Sequence, residues 1–169
     1  IAGKNPKVEE LLAIAEENEC STIVWCRFIP EIEMVCEALR ERYGRSAVVE
    51  IYGAISEEDR HRNVKELFET GKARFIVGNA ATGGVGLNMI RAELVVYYSN
   101  SFSFTDRQQS EDRAHRMGQT KSVTYIDLVA EGTVDVVVAG ALIEKKDVSE
   151  FVRSSIDSRN ESILLGELG

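Results

Sequence analysis

The sequence predicts an α/β domain, a parallel sheet covered by helices on both faces. Two observations carry this. Short apolar runs without polar alternation are the pattern of strands buried on both faces, and amphipathic helical segments separate them along the whole chain. The chain has 169 residues, close to one ordinary domain, with no internal repeat and no low-complexity linker. Residues 6–18 carry Val8, Leu11, Leu12 and Ala15 at helical spacing, and 21–26 (STIVWC) form the first strand. Pro30 suits the first turn of a helix with Ile32, Val35, Cys36 and Leu39 inward, ending at Gly44. Residues 47–52 (AVVEIY) are the second strand. Ser56 with Asp59 three residues later opens an acidic helix start that runs to Gly71. Residues 73–77 and 94–98 are the third and fourth strands, with a glycine-rich loop between them. Ser103 or Thr105 opens a polar helix that stops at Gly118, residues 123–129 make a fifth strand, and a helix spans about 133–152. The expected division is one domain over 1–152 and a C-terminal tail over 153–169.

Composition bounds the function. Hydrophobic residues are 44% and charged residues 28%, enough apolar content for a core without metal or disulfide support. No run of about 18 apolar residues is present to span a membrane, and no membrane partner is expected. The net charge is −8, which argues against a broad basic nucleic-acid surface. Residues 61–130 are the exception, with 9 basic and 7 acidic side chains, so an anion is expected to be met there. Cys20, Cys26 and Cys36 form no CxxC pair, which reads as a reducing cytoplasmic compartment with no metal site. The opening Ile1-Ala2-Gly3-Lys4 lacks a Met and a leader pattern and reads as part of something longer.

In parallel sheets, ligands meet the loops at the carboxyl ends of the strands. After the third strand stand Gly78-Asn79-Ala80-Ala81-Thr82-Gly83-Gly84-Val85-Gly86-Leu87-Asn88. Glycines let backbone N–H groups approach a phosphate closely, and Asn79, Thr82 and Asn88 add neutral polar groups; a simple tight turn is the plainer alternative. A dinucleotide fingerprint fails because its third glycine position is Met89. A Walker A loop ending at Gly71-Lys72 fails at Glu66 and Ala73. The chain lacks its own triphosphate cradle. After the fourth strand, Gln109, Arg113 and Arg116 at i, i+4 and i+7 would share one helix stripe. Local pairs such as Asp112 with Arg116 and Glu111 with His115 are the competing explanation of those charges.

Here the residues carry a resemblance. Residues 109–119 (QSEDRAHRMGQ) resemble the last conserved motif of the Swi/Snf-type superfamily-two ATPases, and 82–88 (TGGVGLN) resemble the motif preceding it. Residues 23–28 (IVWCRF) are similar to the strand that begins the second motor lobe. Tyr52-Gly53, with Arg60 and Phe68, resembles the next element, and Gly132-Thr133-Val134-Asp135 the start of the closing helix. The match runs in order from about 20 to 145. It departs at Ala80-Ala81, where the family has Thr-Arg, and at Phe102, where it has Trp.

The resemblance implies a RecA-like (P-loop NTPase-type) helicase C-terminal lobe, the second lobe of an ATP-dependent DNA translocase or helicase. ATP and Mg²⁺ would be held by the N-terminal RecA-like lobe of the same polypeptide, and this chain alone would be inactive. Arg113 and Arg116 would act as arginine fingers, with Gln109, Asn88 and Gly86 at the nucleotide. Arg27, Gly53, Asn79, Thr82 and Gly83 would face the DNA backbone without sequence preference. Localisation is expected to be cytoplasmic in a bacterial or phage setting, and nuclear in a eukaryote. Two rivals stand beside this reading: a non-catalytic nucleic-acid or protein interaction module on the same fold, and a nucleotide-binding metabolic enzyme on a similar sheet, which the missing glycine and lysine disfavour.

Overall fold

A computed structural model describes residues 5–81 and 87–156. Its centre is a five-stranded sheet built from β1 (Thr22–Trp25), β2 (Val48–Ile51), β3 (Phe75–Gly78), β4 (Leu94–Tyr97) and β5 (Thr124–Asp127), in the order β2-β3-β1-β4-β5. All four pairings are parallel. Successive residues point to opposite faces, and both faces are buried. Val24, Val77 and Val96 pack with one set of helices, while Ile23, Ile76 and Val95 pack with the other. This is why β1, β3 and β4 read as unbroken apolar runs: all their residues are buried.

On one face lie α1 (Pro6–Glu17) and α2 (Ile29–Tyr43), which bury Leu11, Ile32, Val35, Cys36 and Leu39. The other face is covered by a π-helical stretch over Asn63–Phe68, which continues α3 (Glu57–Arg62), and by the end of α4 (Phe104–Ala114). The result is the three-layer arrangement expected. Its helix starts are chemically marked. Asn5 accepts from Lys7 N–H, Ser56 from Asp59 N–H, Ser103 from Asp106 N–H and Thr133 from Asp135 N–H, each satisfying a donor the first turn would leave unpaired. Ser103, not Thr105, caps α4.

Three features differ from expectation. The helix α4 ends at Ala114, and His115, three residues before Gly118, already has non-helical backbone (φ −98°, ψ 80°). The long closing helix is two pieces: α5 covers Val134–Ile143, Lys145 takes a positive φ of 57°, and helix resumes over 148–156. The break is tied down by Asp147, whose carboxylate accepts from the N–H of Phe104 at 2.7 Å. Strand β5, at one edge of the sheet, is half exposed, with no fully buried residue. The three cysteines are free, and no described helix is long and apolar enough to cross a membrane.

Candidate nucleotide and nucleic-acid site at the strand ends

The pairing register sets the site. Ile51 pairs with Gly78, Gly78 with Trp25, Trp25 with Tyr97, and Tyr97 with Asp127, so the carboxyl ends of all five strands are flush. Every loop that leaves this row starts at the same level. Gly78 belongs to the row, not to the loop after it. A Cβ there would overlap the carbonyl oxygen of Ile51 and sit 2.5 Å from Ile51 Cγ1, so glycine is required for strand packing rather than for phosphate approach.

Between the ends of β1, β3 and β4 lies a cleft of about 220 Å³, lined by Cys26, Arg27, Asn79, Ala80, Ala81, Tyr97, Ser99, Asn100, Ser101 and Arg107. Its walls are held by short polar contacts. The Arg27 N–H donates to Ser99 Oγ at 2.7 Å, and Ser99 donates to Glu31 Oε2 at 2.5 Å. Glu31 also accepts from the Phe28 N–H, which ties the start of α2 to the loop after β4. The amide of Asn79 donates to the Arg27 carbonyl at 2.7 Å, and its Oδ1 accepts from Ala81 N–H at 2.9 Å. Asn79 therefore organises the loop it begins, with both ends of its amide engaged. The thiol of Cys26 is pushed to a high pKa, first by burial and then by Glu31, and is an inert wall.

Arg107 is the junction that sequence reasoning missed. Its guanidinium lies 3.5 Å from the Tyr97 ring centroid and bridges Asp127 (2.5 and 3.2 Å), Asn100 (2.9 Å) and Glu111 (2.6 Å). Tyr97 in turn shares a buried 2.7 Å hydrogen bond with Ser110. One cation thus fixes α4 to the ends of β4 and β5 and to the cleft loop. Burial depresses its pKa, and the hydrogen bond to Asp127, together with the charges of Tyr97 and Asp127 and the hydrogen bond to Glu111, more than restores it. The i, i+4 pairing with Glu111 was open to inspection; Asp127, 20 residues away, had no local signal.

The proposed arginine stripe is divided. Gln109 is exposed on α4. Arg113 is 6% exposed, its guanidinium 5.4 Å from the Trp25 ring centroid, with its pKa lowered chiefly by burial. Arg116 lies beyond the helix end, exposed, its Nε donating to the Asp112 carbonyl at 3.0 Å. The three do not form one solvent-facing stripe: Arg113 is buried while Gln109 on the same helix is exposed, and helical spacing fails after Ala114, before Arg116. Nor do the expected local pairs form as drawn: Arg116 uses a carbonyl of Asp112, and Glu111 binds Arg107.

What the structure does bring together is the end of the glycine-rich segment and the end of α4. The N–H of Met89 donates to the Arg113 carbonyl at 3.0 Å, which sets exposed Asn88 beside Arg113. Gln119 reinforces the junction by donating to the carbonyls of Ala92 and Ala114. Gly53 is exposed in the turn after β2. Thr82, Gly83 and Gly86 lie outside the described residues. Among the described residues no group of three or more His, Cys, Asp or Glu side chains could hold a metal ion.

A flush-ended parallel sheet with polar side chains and arginines gathered at its carboxyl edge defines a RecA-like lobe of the helicase type. The family model for the helicase conserved C-terminal domain matches residues 3–118, and the chain belongs to this family, as a lobe of the Swi/Snf type. It is 31% identical over 152 residues to the chromatin-remodeling ATPase INO80 of Neurospora crassa, and 27% identical over 165 residues to that of Debaryomyces hansenii. These alignments cover 89% and 95% of this chain but 8% and 12% of the relatives, so the chain spans about a tenth of their length. The solved C-terminal part of the Fun30 ATPase domain superposes with a TM-score of 0.74 at 20% identity, over 81% of this chain and 45% of that one, which supports the fold.

Proposed function

We propose that the chain is the second motor lobe of an ATP-dependent translocase on DNA, supplying charge to ATP and Mg²⁺ held by a first RecA-like lobe and gripping the nucleic-acid backbone. The observation that carries this reading is the 3.0 Å bond from Met89 to Arg113. It sets the end of the glycine-rich segment and the arginine-bearing end of α4 in one place. Phosphoryl transfer spreads negative charge over phosphate oxygens, and planar guanidinium forks stabilise it. Arg116, exposed on a bend after α4, is free to reach a neighbouring lobe; Arg113, packed near Trp25, orients that end from within. Gln109, Asn88 and Gly86 complete the nucleotide side.

Arg27, Gly53, Asn79, Thr82 and Gly83 form the backbone-facing set, which positions nucleic acid without reading its sequence. The relatives are named chromatin-remodeling ATPases and come from fungi, which favours a nuclear protein acting on chromatin over the bacterial or phage cytoplasm. The proposed units remain a lobe over 1–152 and a tail over 153–169.

The test compares this chain with the intact protein. The 169-residue chain alone is expected to turn over no ATP, since it holds neither a Walker loop nor a carboxylate pair for Mg²⁺, while the intact protein hydrolyses ATP faster when DNA is added. Stoichiometric micromolar ATP binding by this chain in calorimetry counts against the division of labour. An intact protein with no nucleotide turnover returns the lobe to the interaction-module reading.

A further inference from the structure

The turn that follows α4 carries a side chain for which the lobe itself has no use. Met117 is 99% exposed, the most exposed large hydrophobic residue among those described. A single apolar side chain half covered at a surface is ordinary. Met117 differs in degree and in position, since it stands between Arg116 and Gly118.

The backbone that presents it is fixed at several points. The N–H of Gln119 donates to the Arg116 carbonyl at 3.0 Å, closing a four-residue turn with Met117 and Gly118 as its central pair. Gly118 has a φ of 105°, which a glycine adopts at the third place of a turn and other residues resist. A Cβ on it would stand 3.3 Å from Ile90 Cδ1, so the turn lies against the residue after Met89. The Gln119 amide donates to the carbonyls of Ala92 and Ala114 at 2.9 and 3.4 Å, and its oxygen accepts from the Lys121 N–H at 3.0 Å. Arg116 is steadied by its bond to the Asp112 carbonyl. An apolar tip on a loose loop would lose much of its contact energy in being ordered; this tip is ordered beforehand.

We propose that Met117 is an apolar anchor that seats this lobe on the first RecA-like lobe beside the nucleotide, where it also shields the Arg116 guanidinium from water. The proposal rests on the translocase reading, which supplies the first lobe. The surface it fits is an apolar recess of protein bordering bound phosphates. Methionine and arginine are both enriched in the cores of protein interfaces, and an unbranched thioether adapts to a recess whose shape changes as two lobes open and close. Attraction between a guanidinium and a phosphate is weak in water and several times stronger once water is excluded. An apolar neighbour one residue away performs that exclusion. DNA is the poorer occupant, because the turn offers a thioether beside a single arginine, and the next lysine, Lys121, is paired with Glu93.

The experiment uses the intact protein, with turnover measured against ATP concentration at saturating DNA. Met117→Ser is expected to lower kcat about tenfold, the scale of one methionine side chain left uncovered. KM for ATP should stay within about twofold of the parent, because the contact forms as the lobes close on the reacting state. The melting temperature should not change, since the side chain packs on nothing in its own lobe. Met117→Leu, apolar and of similar volume, is expected to restore kcat to within about twofold. In an Arg116→Ala background, Met117→Ser is expected to lower kcat only about threefold or less, since part of its effect runs through the guanidinium.

Parental kcat in Met117→Ser, where Arg116→Ala is impaired, overturns the anchor and leaves the translocase reading standing. A loss in Met117→Leu as large as in Met117→Ser overturns the apolar contact. Equal losses from Met117→Ser in the parent and in Arg116→Ala overturn the shielding. Weakened DNA affinity with parental kcat assigns the turn to DNA and overturns the first lobe as its occupant. A lowered melting temperature in Met117→Ser overturns the anchor in favour of a structural role. Parental kcat in both Arg116→Ala and Met117→Ser overturns the reading and the anchor together.

Discussion

Replacing Arg116 by Ala in the intact motor is expected to lower DNA-stimulated ATP turnover by about 10²-fold or more, the scale on which arginine fingers act. The structure makes Arg116 the better position for this test. Its side chain is exposed and makes a hydrogen bond to the Asp112 carbonyl, so the melting temperature should barely change. Arg116→Lys is expected to rescue little, because lysine keeps the charge and loses the planar fork. Arg113 offers no such separation. At 6% exposure, near Trp25, its replacement by Ala leaves a cavity, so turnover and stability fall together. Near-parental kcat in folded Arg116→Ala removes that residue from the site and leaves Arg113 as the sole candidate finger.

The second large effect is on folding. Gly78→Ala places a methyl group against the Ile51 carbonyl and 2.5 Å from Ile51 Cγ1. The obstacle is backbone in a three-strand ladder, with β1 pairing at Trp25 and β2 at Ile51, so it cannot rotate aside. The expected cost is roughly 4 kcal/mol or more, at the extreme of single substitutions. Loss of a cooperative thermal transition in Gly78→Ala is the predicted readout. A melting temperature within about 2 °C of the parent, no more than the shift that about 1 kcal/mol brings in a domain of this size, shows that the sheet relaxes around the methyl group.

These two positions also show how far sequence reasoning reaches. The strands were legible because burial on both faces leaves no polar alternation, and most helix starts because Asn5, Ser56, Ser103 and Thr133 are side-chain caps with local partners. The end of α4 was not legible. Gly118 looks like the stop, whereas the chain leaves helical geometry at His115, where Met89 N–H and Gln119 bind the carbonyls of Arg113 and Ala114. That three-residue difference moves Arg116 off the helix and removes the stripe. Gly78 was read with the glycines after it as a phosphate approach; its contact with Ile51 is tertiary and carries no sequence signal. Arg107 was hidden for the same reason, because a helix rich in Asp, Glu and Arg gives no hint that one arginine is 11% exposed and spans three elements. The aromatic contacts of Arg27 were not legible either, because Phe102 and Phe28 are brought together only by the fold, across 74 residues.

The strand order has a kinetic consequence. The first strand in the chain is the middle one in the sheet, and it can pair only with β3 and β4, which begin at Phe75 and Leu94. Strand β2 pairs only with β3, and β5 only with β4. A nascent chain therefore exposes two apolar strands with no permitted neighbour until nearly half of these residues have been synthesised, and the last edge closes only after Asp127. High-contact-order parallel sheets assemble slowly and leave sticky intermediates. Refolding from denaturant is thus expected to be limited by β1 acquiring its neighbours, and dilute protein should recover better than concentrated protein.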